Sequence, residues 1–233
     1  MPTSAEGFID RTQSLKADLV AQGRRVQAMI SGAFDAIFTS SAQLASDVKA
    51  QDDEIDSVDV AIERACVDLL TDATRSGAEL SPEQLRAVLM IVKINNELER
   101  TADIAVELAE LVIEHKLGVQ KFPDTFRVMA NSVVGIVRDV NTCVANLDPA
   151  LANIVLQSQH AVTAFKDAIV RTAELKLSKG EMSAELAFTL HEIATACEII
   201  ADHCTNIAEQ VIYLTTGAIV RHGHSSWERV GGQ

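Results

Sequence analysis

The chain repeats itself, and the spacing of the repeat limits what it can fold into. Glu99, Ala102, Asp103, Ala109, Glu110, Val112, Ile113 and Gly118 recur as Glu198, Ala201, Asp202, Ala208, Glu209, Val211, Ile212 and Gly217, always 99 positions on. Upstream, Leu44, Ala45, Val48, Ala61, Ile62 and Arg64 recur as Leu151, Ala152, Val155, Ala168, Ile169 and Arg171, now 107 positions on. The second copy is therefore about eight residues shorter between its second and third elements, a change that a surface connection tolerates.

Each copy reads as three helices. Ser81-Pro82 with Gln84 is a capping box with a first-turn proline, Asp148-Pro149 repeats the cap-then-proline signal, and Pro123-Asp124 marks another start. Gly77, Gly118, Gly180 and Gly217 stand near the ends of periodic segments. Helices are predicted at 5–38, 41–75, 82–117, 123–147, 149–178 and 182–220. Nothing alternates with period two long enough for a strand, so no sheet is expected. The predicted fold is all-α: two tandem three-helix bundles of long antiparallel helices, 1–118 and 119–222, followed by a tail over 223–233.

Composition supports this. The chain is 48% hydrophobic but only 4% aromatic, as expected of helices packed by aliphatic ridges. A formal charge of −13, with Arg24-Arg25 as the longest basic cluster, argues against a nucleic-acid partner and suits cations or a basic protein. No segment reaches the roughly 18–20 apolar residues of a membrane span, "AVLMIVKI" from Ala87 being broken by Lys93. The N-terminus, "MPTSAEGFID", lacks the features of a secretory signal. Cys66, Cys143, Cys197 and Cys204 lie among aliphatics without a Cys-x-x-Cys pair, which predicts buried reduced thiols and a cytoplasmic protein. Cys197 and Cys204 share a helical face, but two thiols are too few for zinc.

Two acidic stripes carry the chemistry. Glu99, Asp103 and Glu110 flank the apolar seam Leu98, Ala102, Ala105, Ala109 and Val112, while Asp52, Asp56, Asp59 and Glu63 line the helix before. Carboxylates brought together without a partner take up protons or cations, and an all-oxygen set suits hard ions. The competing expectation is a solvated shoulder, with Lys49, Lys93 and Arg100 as surface counter-charges. A ferritin-like di-iron site needs Glu-x-x-His on two helices; the motif is absent, and His115, His191 and His203 are not placed to complete it. Phosphate-binding glycine loops are absent as well.

The segments "DDEIDSVDVAIERACVDLL", "LRAVLMIVKINNELERTADIA" and "IADHCTNIAEQVIYLTTGAIVRH", in that order, resemble the PhoU family of phosphate-transport regulators. Glu99-Arg100-x-x-Asp103 is specific in that context, as is the closing Arg221-His222, which is expected to end the last helix. The resemblance implies a cytoplasmic, generally dimeric protein that is not an enzyme. It implies damping of uptake through the phosphate ABC transporter, by way of its ATPase subunit, and restraint of a phosphate-sensing histidine kinase when phosphate is plentiful. It further implies paired acidic metal sites, one per bundle, for iron, magnesium or manganese. Asp52, Asp56, Glu99 and Asp103 match in the first bundle. In the second, Glu198 and Asp202 remain, but Gln159 and Thr163 replace the aspartates and Ile199 replaces the arginine. The alternatives are a regulatory cap on another ion transporter, such as a sodium–phosphate symporter, and a carboxylate-bundle metal enzyme.

Overall fold

In the computed structural model, residues 5–114, 122–222 and 227–230 are described. Helix α1 spans Ala5–Thr39, α2 Ala42–Lys49, α3 Asp52–Arg75, α4 Pro82–Glu114, α5 Asp124–Asn146, α6 Pro149–Ser178 and α7 Ala184–Thr216. Helices α1 to α4 pack on one another as one bundle and α5 to α7 as another. The two bundles meet along α4 against α7 and α1 against α5. The expected boundary at 118/119, with Gly118, lies outside the described residues.

The element predicted at 41–75 is two helices, because the chain breaks at Ala50-Gln51. There Gln51 N–H turns back to Val48 C=O, three residues behind, and the regular ladder restarts with Ile55 N–H on Gln51 C=O. The physical reason is charge. Asp52, Asp53 and Glu54 form the first turn of α3. Three consecutive acids are favourable at a helix N-terminus, where free amide N–H groups and the helix dipole face them, and unfavourable in mid-helix. The equivalent stretch of the second copy, Gln159 to Ala161, has no such run, and α6 continues through it.

The predicted caps form. Ser81 Oγ accepts from Gln84 N–H while Gln84 Oε1 accepts from Ser81 N–H at 2.9 Å. Asp148 Oδ1 accepts from Ala150 and Leu151 N–H at 2.9 and 3.0 Å. Ser41, at the equivalent position of the first copy, caps α2 through Leu44 N–H.

The last helix is shorter than expected. It stops at Thr216, where Gly217 takes a left-handed φ of +69° that a side chain would resist, more so because an added Cβ would meet the Arg86 guanidinium at 3.2 Å. Ile219–His222 and Trp227–Val230 then pair as an antiparallel hairpin, β1 and β2, with Ile219 opposite Val230 and His222 opposite Trp227. The expected absence of any sheet is corrected by this hairpin, and so is the helical placing of Arg221-His222. Strand β2 falls in the segment predicted as tail. Four residues per strand are too few for a periodicity to be read from sequence.

Ala102, Ala105 and Ala109 of α4 and Ala194, Ala201 and Ala208 of α7 are all buried, so small side chains line the packed faces of both long helices. The predicted seam, Leu98 through Val112, is buried throughout. All four cysteines are free and buried.

Candidate acidic site and inter-bundle seam

Helices α3 and α4 are neighbours in the first bundle and carry the two acidic stripes toward each other. Burial raises the Asp52 carboxyl above its ordinary range, and the charges of Asp56, Asp103, Asp53 and Glu110 push it further. Glu99 is raised by burial, then by Asp103, Asp59 and Asp56, with Arg100 opposing. Asp103 is raised by burial and by Asp56, against His203 and Arg100. Asp59 joins them, raised by burial and by Glu63 and Asp56, although Asn95 Nδ2 donates to it at 2.6 Å. The structure thus brings Asp52, Asp56, Glu99 and Asp103 within electrostatic reach of one another.

Of the predicted counter-charges, Lys49 pairs with Glu110 at 2.6 Å, at the edge of the cluster. Among the described residues, Asp52 Oδ1 is buried without a hydrogen-bond partner. Donor type and charge therefore fit a hard cation in this bundle. The side chains are not gathered into a ligand shell, since no group of three or more His, Cys, Asp or Glu among the described residues stands ready to hold a metal.

The second bundle is built differently. Lys166 Nζ lies 2.5 Å from Glu198 Oε2, and Thr163 Oγ1 donates to Glu198 Oε1 at 2.9 Å. Gln159 Nε2 donates to Asp202 Oδ1. Burial works to raise the Glu198 carboxyl, but the bonds from Lys166 and Thr163 and the lysine charge outweigh it and hold the group low. Asp202 stays raised, by burial above all, with Gln159 opposing. Gln159 and Thr163 are the counterparts of Asp52 and Asp56 and could not serve as anionic ligands. They serve instead as donors to the acids across from them. These residues do not fit a metal ion.

Between the bundles lies a polar contact that the stripes did not announce. Glu97 on α4 accepts from Asn206 Nδ2 on α7 at 3.1 Å, and its Oε2 lies 2.7 Å from His203 Nδ1. Burial pushes the Glu97 carboxyl up, yet these two hydrogen bonds and the nearby His203 and Arg100 bring it below the ordinary value. Beside it, Lys93, Asn96, Glu209, Gln210 and Arg221 surround a cavity of about 420 Å³, and Arg221 of β1 pairs with buried Glu209. A signal existed in the repeat. The counterpart of Glu97 is Ala196 and that of His203 is Ile104, both buried apolar residues. A polar residue whose repeat partner is apolar marks a place where the two halves of the seam differ.

Comparisons with known proteins agree with this architecture. The model of the PhoU domain matches residues 19–112 and 126–211, one match in each bundle. A "phosphate-specific transport system accessory protein PhoU homolog 1" from Thermotoga maritima is 28% identical over 208 residues, covering 87% of this chain and 86% of that protein. The Escherichia coli accessory protein PhoU is 25% identical over 217 residues, covering 92% of this chain and 88% of that protein. A crystal structure of PhoU from Pseudomonas aeruginosa superposes with a TM-score of 0.83 at 24% identity, covering 90% of this chain and 99% of that one, which shows the shared fold.

Proposed function

This chain belongs to the PhoU domain family, and from that membership we propose that it is a regulatory accessory of phosphate uptake that acts by binding rather than by catalysis. The carrying observation is that both family matches fall on the two bundles, within relatives that are named as phosphate transport accessory proteins and matched over most of their length. In this reading it works in the cytoplasm as a homodimer. It touches the ATPase subunit of a phosphate ABC transporter and a phosphate-sensing histidine kinase, and it restrains both when phosphate is plentiful. That no helix among the described residues is long and apolar enough to cross a membrane is in keeping with a peripheral role. The acidic surface suits basic partner segments through steering and complementarity.

A hard cation belongs to this reading in the first bundle alone. Asp52, Asp56, Glu99 and Asp103 would hold it, and its charge would relieve their mutual repulsion. Deleting the gene in its native host tests the function: phosphate-starvation genes should be expressed even in rich phosphate, and the tagged protein should capture the ATPase subunit and the kinase under those conditions. Unchanged expression would overturn the reading and favour a cap on a different phosphate carrier.

A further inference from the structure

The repeat register carries a comparison one residue further than the four acids. Asp59, which stands among the first-bundle carboxylates, corresponds 107 positions on to Lys166. Within one pair of equivalent sites, a charge has thus been reversed. In the first bundle Asp59 adds to the negative charge felt by Glu99. In the second, the residue at the same register brings an ammonium to 2.5 Å from Glu198, the equivalent of Glu99.

We infer that Lys166 is a tethered counter-cation, which occupies in the second bundle the electrostatic place that a free ion would take and makes that bundle independent of metal. Three observations converge on it. Lys166 and Glu198 are each under a quarter exposed, 22% and 23% by side chain, so their attraction is less screened than that of a surface pair. Thr163 fills the other oxygen of Glu198, and Gln159 fills one oxygen of Asp202, so lone pairs that a cation would need are already committed. The three donors lie on one helix, α6, at Gln159, Thr163 and Lys166, spaced four and three apart, so one face of that helix presents all of them to α7. The bundle therefore holds its acids by covalently attached donors, and the α6–α7 pairing does not vary with ion supply.

This inference concerns the second bundle and stands whether or not the first binds an ion. The test separates the two by working in a background of Asp56→Asn with Glu99→Gln. In that background manganese should leave the thermal midpoint unchanged. Adding Gln159→Asp, Thr163→Asp and Lys166→Asp should create a manganese response, seen as a rise in midpoint and as heat on titration, that magnesium competes for. A separate Lys166→Met variant of the otherwise native chain should lower the midpoint at low salt by on the order of 3 °C, while Lys166→Arg keeps it. A background that still binds manganese, and loses it on Glu198→Gln with Asp202→Asn, overturns the inference. So does a Lys166→Met variant that melts with the parent, or a folded triple variant that ignores manganese. A triple variant that folds only with manganese present supports it. If the triple variant does not fold under any condition, the Lys166→Met midpoint decides.

Discussion

His203 Nδ1 lies 2.7 Å from Glu97 Oε2, joining α7 of the second bundle to α4 of the first, with Asn206 donating to the same carboxylate. Both are well covered, at 14% and 17% side-chain exposure, so the contact is made in a medium that screens it weakly. It ties the bundles near the middle of both helices, while the repeat-equivalent positions Ile104 and Ala196 are apolar.

Breaking this contact should loosen the two bundles from each other. Glu97→Gln or His203→Ala is expected to cost about 1–3 kcal/mol in urea unfolding, and the double variant less than the sum of the two. The pH dependence has a definite sign. The folded Glu97 carboxyl is lower than its unfolded value, so its contribution is present above the unfolded carboxylate range and lost as pH falls through the folded value. The Glu97→Gln variant should lack that part of the acid-side loss.

The first-bundle acids act with the opposite sign. Asp52, Asp59, Glu99 and Asp103 are all raised in the fold, so the stability they contribute is present below the unfolded carboxylate range and lost as pH rises through their raised values. At neutral pH without divalent ions, Asp56→Asn should stabilise the protein by about 0.2–0.5 kcal/mol for each like-charge neighbour relieved. The gain should shrink with added salt and vanish once the neighbours are protonated, as unfolding curves at low and neutral pH would show.

Divalent ions should distinguish the bundles. Calorimetric titration with magnesium or manganese is expected to show binding to the native chain that Asp56→Ala with Glu99→Ala abolishes. Glu198→Ala with Asp202→Ala should leave most of it, and the native chain's thermal midpoint should rise with ion concentration. Equal loss from both double variants would place an ion in the second bundle as well.

The cysteines should be silent in the folded state. Burial, as the leading cause, pushes the Cys66 thiol up to about 11 and those of Cys143 and Cys197 up to about 12, with Cys204 raised as well. Thiolate is the reactive form, so iodoacetamide near neutral pH should leave all four unlabelled until denaturant is added. Rapid labelling of any one without denaturant would count against its burial.

The amino-acid sequence alone determined the helical class, the twofold repeat, the capping box at Ser81 and the proline start after Asp148, because these rest on local periodicity and on hydrogen bonds that span three or four residues. It also identified the seam of α4 and the acids beside it, since one helical face can be read from spacing. The break at Gln51 lay in the same letters: three acids in a row read as an N-terminus only when the helix can afford to restart there. What tertiary structure decided is which charges meet. Lys166 stands 32 residues from Glu198, and His203 stands 106 from Glu97. No local rule pairs them; only the packing of α6 on α7 and of α7 on α4 does. The hairpin β1–β2 belongs with these, because four-residue strands are fixed by pairing with each other and by the seat of Val220 and Arg221 near α7, not by any pattern of their own.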